Sequence, residues 1–259
     1  MNRFTKVATK EHYAINVIGR SARLFLKQKS INYNFPTVVK LAFNDAMTYN
    51  PENGKGGTVF GLGFREHKLK HYNKKHLGAL ENLLWFKESQ ADVRLDALSK
   101  SDFLQSFAVI AIKDAMGPNM CENNRFGRKD ATSEEQLEGA CEVPQPEDGV
   151  TSFRDAFHSK SFDSREMVAL SSVYTFGDFQ PRIAEMNNQY FKNLVDKDIQ
   201  SNDALDKILL DDSELKEFVE LFANETDEFE EAFTDAWLKL YTLGNDDKEL
   251  FFEVPKIEY

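Results

Sequence analysis

The chain has 259 residues, of which 41% are hydrophobic and 12% aromatic, and its formal net charge is −11. This length is sufficient for one large domain with a sizeable core. The acidic balance argues against general nucleic-acid binding, which needs a dominant basic field. No apolar run approaches the roughly 18 residues of a membrane span, so the sequence predicts no transmembrane segment.

The charge is unevenly distributed along the chain. Residues 201–235 hold 13 Asp and Glu against 2 Lys and Arg, whereas residues 1–40 hold eight basic residues and one acidic residue. An acidic helical segment is usually a solvated face. It could instead dock a basic partner protein, and the sequence leaves both interpretations open.

Apolar residues recur at helical spacing through nearly the whole chain, which predicts an all-α fold. The 22 Phe residues favour a core filled with rings rather than with β-branched side chains. In chain order the predicted helices cover residues 11–28, 37–48, 71–88, 102–116, 163–177, 185–195, 203–211, 214–223 and 226–243. We expect Ser101 to cap the apolar central helix and Gly244 to end the last one.

Two segments between these helices are predicted to be loops, the Gly-rich residues 49–63 and the long polar residues 117–151. The helices on either side of the second loop are too few to fold separately. We therefore interpret it as an excursion within a single domain of residues 1–259.

Two cysteines, Cys121 and Cys141, flank a polar part of the long loop. A disulfide between them would add roughly 3 kcal/mol in the chain-entropy model and would imply an oxidising compartment such as a lumen. Two thiols in a reducing compartment are an equally open alternative. Without a nearby His, the pair is a poor zinc site. His67 and His71 stand four residues apart, but the lysines around them favour an exposed face over a metal site.

Two polar residues, Asn44 and Asp45, interrupt the apolar stripe of the helix predicted at 37–48. A buried amide is costly unless its hydrogen-bonding groups find partners. Asn44 is therefore either a satisfied amide or a residue that faces a pocket.

Several segments together resemble the class I haem peroxidases, the ascorbate peroxidase and cytochrome c peroxidase group. Residues 38–57, "VVKLAFNDAMTYNPENGKGG", resemble the distal helix, which reads R-L-A-W-H-D/S-A-G-T-Y in that family. "FLQSFAVIAIKDAMGP" and "FGRKDAT" resemble the central helix and its G-R-x-D loop, and "FRDAFHSKSFDSREMVALSSVYTFG" resembles the proximal helix. The resemblance covers about residues 14–244. It implies two helical lobes around a haem pocket, which the departures below predict to be vestigial.

The resemblance places different residues at the family's distal positions. Lys40 takes the place of the distal Arg, Phe43 that of the distal Trp, and Asn44 that of the acid–base His. The Asn that orients this His falls on Asn73. An amide has no accessible pKa for moving a proton between peroxide oxygens, so Asn44 cannot replace the His.

The proximal positions also differ. Tyr174 takes the place of the iron-ligating His and Phe179 that of the Trp beneath the haem, whereas the proximal carboxylate is retained as Asp206. A carboxylate beside a phenol disfavours the phenolate. We therefore expect a neutral Tyr174 that donates a hydrogen bond to Asp206.

These departures predict a pseudo-peroxidase without catalytic residues, cofactor or metal. It would act as a scaffold or accessory subunit through protein–protein interaction, similar in kind to the haem-less ascorbate peroxidase-like protein of the thylakoid lumen. That analogue and the disulfide suggest a soluble or peripheral protein of the plastid or thylakoid lumen, associated with a membrane-bound photosynthetic assembly. The alternative is a haem enzyme that acts on peroxide, with iron ligated by Tyr174.

Overall fold

The computed structural model describes residues 35–65, 74–89, 98–176, 185–196, 203–246 and 249–250. Within these ranges lie ten α-helices: α1 (Phe35–Met47), α2 (Leu62–Arg65), α3 (Lys74–Ser89), α4 (Lys100–Asp114), α5 (Val150–His158), α6 (Ser164–Thr175), α7 (Gln189–Val195), α8 (Ala204–Asp211), α9 (Ser213–Asn224) and α10 (Thr226–Leu240). The same ranges contain no strand beyond an isolated bridge between Asn50 and Lys55. The predicted all-α fold is confirmed. No helix among the described residues has the length and apolar character that a membrane span requires.

Helix α4 lies at the centre of the fold, as its apolar sequence predicts. Each residue from Ser101 to Ile112 is buried, and α4 packs on α1 and α3. The prediction that Ser101 is the N-cap is wrong, because Ser99 accepts the capping hydrogen bond from the Asp102 N–H at 2.9 Å. The Ser101 hydroxyl donates instead to the carbonyl of Thr58 at 2.6 Å. A hydroxyl buried at this depth needs such a partner.

A second group of helices, α6 to α10, packs around an aromatic core. Helix α9 contacts α6, α7, α8 and α10, and α6 also contacts α1, which joins the two groups. Five aromatic rings of the second group form one connected cluster. The centroids of contacting rings are 5.3 to 6.0 Å apart, and the rings belong to Phe191, Phe222, Phe229, Phe233 and Trp237. Pairs of this kind contribute about 0.5–1.5 kcal/mol beyond their burial. The high Phe content thus supplies the core of this group.

The predicted helix limits agree with the observed ones to within about four residues. Helices α2 and α5 were not predicted; α2 begins within the predicted Gly-rich loop, and α5 begins where the long loop ends. The loop itself contains three 3₁₀ turns, Cys121–Asn123, Glu134–Leu137 and Pro146–Asp148. The helix predicted at residues 11–28 lies outside the described residues, and the single domain stays a prediction.

Two glycines of the Gly-rich loop pack against backbone carbonyls too closely to carry a side chain. Gly56 lies against the end of α1 and Gly57 against the turn after α10. A Cβ on Gly56 would lie 2.4 Å from the carbonyl oxygen of Thr48, and a Cβ on Gly57 would lie 2.4 Å from that of Leu243. Both glycines have positive φ, 77° and 87°. Gly244, the predicted helix stop, has φ 81° and follows the turn after α10.

A buried ion pair connects the long loop to α4 and to the end of α10. The Arg128 guanidinium donates to the Asp102 carboxylate at 2.8 Å, and the two side chains are 0% and 2% exposed. Its Nε donates to the Tyr241 carbonyl at 3.0 Å, and the cation lies 4.8 Å from the centroid of the Tyr241 ring. Three segments distant in sequence therefore meet at one side chain.

We predict that Arg128→Met lowers the free energy of unfolding by about 3–5 kcal/mol, because it leaves the buried Asp102 charge uncompensated. The matched control is Lys129→Met, which removes a pair with Glu249 whose side chains are 82% and 62% exposed. The control should change stability by no more than about 0.5 kcal/mol. Urea unfolding followed by circular dichroism measures both. Equal losses in the two variants would contradict the role given to Arg128.

Candidate functional site

Helices α1 and α6 carry the residues that the family resemblance places on either side of a haem. Phe43 of α1 is 1% exposed, and its ring meets the ring of Tyr174 of α6 edge to face, with centroids 5.3 Å apart. Two rings of α5 complete the cluster: Phe157 lies 6.4 Å from Phe43, and Phe153 lies 5.7 Å from Tyr174. The structure thus brings the predicted distal and proximal positions together in direct contact.

The hydrogen bond predicted between Tyr174 and Asp206 is wrong. The Tyr174 hydroxyl donates to the Pro144 carbonyl at 2.8 Å, whereas Asp206 accepts a hydrogen bond from the Tyr190 hydroxyl at 2.7 Å. The physical reason is that the Tyr174 ring packs into the Phe43 and Phe153 cluster, where the long loop supplies a carbonyl. Burial raises the pKa of the Tyr174 phenol well above its usual value. The neutral form expected for Tyr174 is therefore retained, with a different acceptor.

Of the three charged or amide residues of α1, Asp45 is buried, whereas Lys40 and Asn44 are only partly buried. The Asp45 carboxylate is 0% exposed and accepts a hydrogen bond from the Phe60 N–H at 3.0 Å. Phe60 adopts φ 56°, in the left-handed region, at the turn before α2. The sequence showed that both Asn44 and Asp45 interrupt the apolar stripe. The helical spacing alone did not predict which of these two adjacent residues is buried.

Burial changes the protonation chemistry of Asp45. Desolvation raises its pKa from 3.8 to about 7, although the nearby backbone N–H groups of Phe60, Leu62 and Gly61 oppose the shift. A nearby carboxylate, that of Asp130, adds to the rise. Asp45 is therefore a carboxyl group that titrates near neutral pH inside the helix bearing the distal positions.

The remaining predicted positions divide between described and undescribed residues. Phe179, Asn73, His67 and His71 lie outside the described residues. Cys121 and Cys141 lie inside them, and no disulfide joins the two in this structure. In the described part of the chain, no cluster of three or more His, Cys, Asp and Glu side chains could hold a metal ion.

Comparison with known proteins follows the same segments. A sequence model of the peroxidase family matches residues 21–184. The chain is 31% identical over 255 residues to L-ascorbate peroxidase 2, cytosolic, of Arabidopsis thaliana, which covers 93% of the chain and 96% of that relative. It is also 31% identical over 222 residues to L-ascorbate peroxidase 5, peroxisomal, of the same plant, covering 81% of the chain and 76% of the relative.

The all-α fold and the paired helices α1 and α6 define the class of the protein as a class I peroxidase. The chain belongs to the peroxidase family, and within it the chain is ascorbate peroxidase-like. The family resemblance drawn from the sequence is confirmed.

The comparison corrects two expectations, that the protein is no enzyme and that it has no cofactor. Its relatives are named ascorbate peroxidases, and one from Pyricularia oryzae, 27% identical over 84% of the chain and 74% of the relative, is named a putative heme-binding peroxidase. Family membership and these names point to an enzyme and to haem as its cofactor. The expectations were wrong because they weighed substitutions at a few positions against the whole family pattern.

The residues at the two central positions do not fit a haem in the arrangement that the structure shows. A planar macrocycle needs van der Waals contact of about 3.5 Å on each face, so the groups on either side must stand about 7 Å apart. The Phe43 and Tyr174 rings touch, with centroids 5.3 Å apart, and the Tyr174 hydroxyl is engaged by Pro144. A haem between these positions would require both contacts to break.

We predict that Asp45 makes the protein less stable as pH rises. Its pKa is higher in the folded state, about 7, than its ordinary value of 3.8. The folded protein therefore binds more protons between these values, and stability falls from about pH 4 until it levels off above pH 7.

Asp45→Asn removes this titration. The difference in free energy of unfolding between Asp45→Asn and wild type should move in favour of the variant by roughly 3 kcal/mol between pH 5 and pH 8, at about 1.4 kcal/mol per pKa unit. Urea unfolding at both pH values measures it. Parallel pH profiles for the two proteins would show that Asp45 has no such pKa.

Proposed function

We propose that this ascorbate peroxidase-like chain acts as a scaffold or accessory subunit that docks a basic partner protein. The observation that carries the proposal is an acidic surface, defined here as Glu217 and Glu220 of α9 with Asp227 and Asp235 of α10. All four side chains are exposed. Within the described part of the chain, none of them forms an ion pair.

The arginines near α9 and α10 are already engaged by other carboxylates. Arg154 pairs with Asp212 and Glu214, and Arg165 pairs with Glu228 and Glu231. Residues 213–240 hold nine Asp and Glu against two Lys, Lys216 and Lys239, so the acidic surface keeps most of its negative charge.

A surface of this kind favours a partner of opposite charge. Clustered like charges raise the electrostatic potential around a surface and speed encounter with a cationic partner, and salt screens this attraction over about 8–10 Å. Complementary charge contributes specificity and association rate more than raw affinity. The aromatic ring cluster of α7, α9 and α10 packs these helices together, so their relative positions, and those of the carboxylates they carry, are fixed.

The cellular setting we propose is the plastid, with association to a photosynthetic assembly in the thylakoid lumen. A relative named L-ascorbate peroxidase T, chloroplastic, from Arabidopsis thaliana supports a plastid setting, at 28% identity over 81% of the chain and 56% of the relative. The acidic surface supports the docking to an assembly and does not depend on this setting.

The docking proposal predicts that the native protein migrates above its own mass of 29.7 kDa on size-exclusion chromatography of a mild extract from its source. Raising the salt concentration should release it, because the contact is electrostatic. A variant with Glu217→Gln, Glu220→Gln, Asp227→Asn and Asp235→Asn should lose the complex, with an affinity weaker by about tenfold or more.

The matched control neutralises four exposed carboxylates elsewhere: Glu52→Gln, Glu122→Gln, Glu135→Gln and Glu138→Gln. It has the same net charge as the first variant and should remain in the complex. If wild type runs at its monomer mass, or if both variants behave alike, the acidic surface is not a docking site.

The names of the relatives favour a second candidate, a haem enzyme acting on peroxide. In this candidate Tyr174 would be the iron ligand, because the family resemblance places it at that position. Tyrosinate ligates haem iron in catalases. In this chain the ligand would have to leave the Pro144 carbonyl and separate from Phe43. The raised pKa of Tyr174 sets a further cost, because only the phenolate binds iron well.

Haem titration of the purified protein tests this candidate. It predicts a saturable Soret band in wild type that is lost in Tyr174→Phe. Tyr190→Phe is the matched control, because Tyr190 is a second buried phenol with a raised pKa, and it should keep the band. A band that survives in Tyr174→Phe would assign the iron to a different ligand. If the wild-type protein shows no specific Soret band, Tyr174 is not a haem ligand.

A further inference from the structure

Helix α3 carries a large aromatic side chain on its outer face. Its buried face consists of Leu80, Leu83 and Phe86, each 2% exposed or less, and the helix packs on α1 and α4. Trp85 is 59% exposed, whereas the only other tryptophan of the chain, Trp237, is 0% exposed. Within the described residues, the Trp85 side chain has neither a hydrogen bond nor a ring contact. Its ring is therefore available to another molecule.

Two carboxylates flank Trp85 along the helix. Glu81 stands four residues before it and Glu88 three residues after it, and residues at these spacings are neighbours on a helix surface. Both are exposed, and neither forms an ion pair in the part of the chain that the structure describes. The Nζ of Lys87 lies 6.0 Å from the centroid of the Phe103 ring of α4. The outer face of α3 thus combines an exposed aromatic ring with two unpaired negative charges.

We propose that this face, defined as Glu81, Trp85 and Glu88, binds an arginine side chain in a basic segment of the partner protein. Tryptophan is the aromatic residue that attracts a cation over its ring most strongly, and flanking carboxylates attract the same cation. Arginine fits better than lysine, because its planar guanidinium stacks on a ring while its N–H groups reach carboxylates. The charge around the exposed ring therefore selects the chemistry of its partner.

The inference rests on the proposed function, which supplies a partner of positive charge, and it adds a short-range contact. Clustered charges such as those of α9 and α10 contribute mainly to the rate of association. Tryptophan and arginine, by contrast, are enriched among the few residues that contribute most of the binding energy of an interface. We therefore assign most of the affinity to the face of α3 and the speed of encounter to the acidic surface.

The fluorescence of Trp85 gives a local test in the full chain. The probe is a capped hexa-arginine peptide, and acrylamide is the quencher. Because Trp237 is buried, quenching reports on Trp85. The peptide should protect Trp85 from acrylamide in a saturable manner. A hexa-lysine peptide of equal charge should need several times the concentration for the same protection.

The carboxylates are tested by Glu81→Gln combined with Glu88→Gln, which should raise the peptide concentration needed to protect Trp85 by about tenfold. The matched control, Glu122→Gln combined with Glu138→Gln, neutralises two exposed carboxylates of the long loop and should behave like wild type. The variant that neutralises the acidic surface of α9 and α10 should also show protection. Failure of that surface as a docking site would thus leave this test intact.

The ring itself is tested by calorimetry of peptide binding to the chain whose acidic surface has been neutralised. Trp85→Leu, which removes the ring, should weaken binding by about tenfold, and Trp85→Tyr, which keeps a ring, should weaken it less. The proposal is overturned if the arginine peptide leaves quenching of Trp85 unchanged, if hexa-lysine protects equally well, or if Trp85→Leu and Trp85→Tyr bind alike. Emission of Trp85 that depends on protein concentration without peptide would also overturn it, because a second copy of the chain would then cover this face.

Discussion

Arg128 fixes the path of the chain between the two groups of helices. Its guanidinium donates to Asp102 in α4, to the carbonyl of Arg125 in the long loop and to the carbonyl of Tyr241 after α10. A charge withdrawn from water costs several kcal/mol unless its partners are well placed, so the buried cation is stable only where these acceptors meet. Asp102 also accepts the N–H groups of Gly127 and Arg128, which holds the turn itself. The ion pair therefore determines where the long loop leaves the central helix.

The candidate site depends on that same loop. After the Arg128 turn, the chain reaches Cys141, whose N–H binds the end of α1, and then Pro144, whose carbonyl binds the Tyr174 hydroxyl. The long loop thus supplies the acceptor for the proximal residue and is itself attached to the end of α1. A polar loop can be held this deeply only because its backbone groups find partners on the helices around it.

Local signals in the sequence located the helices, and distant contacts decided what those signals left open. The start of α6 was predicted to within one residue, and the structure shows there a capping box of Asp163 and Glu166, two partners that are close in sequence. At the start of α4, Ser99 and Ser101 are equally suitable caps. The choice depends on Asp130, which accepts the N–H groups of Lys100 and Ser101 from 30 and 29 residues away. The spacing of apolar residues along the helix does not reveal such a contact between distant parts of the chain.

In the candidate site, too, the sequence predicted the local features, whereas contacts between distant residues could not be predicted. The relatives described are at most 31% identical to the chain, over more than two hundred residues. Similarity of this kind reflects mainly the positions that pack helices together, so it identifies the family and the fold. The chemistry of a family resides in few positions, and a shared fold does not fix it. Phe43 and Tyr174, which the resemblance assigned to opposite sides of the pocket, lie on the neighbouring helices α1 and α6. The predicted partner of Asp206 was the wrong phenol, because Tyr190 and not Tyr174 donates to it. The acidic charge of residues 201–235 was visible in the sequence, but only the structure shows which of these carboxylates are exposed and which are paired with arginines. A family pattern does not contain that information, because it depends on the packing of this chain.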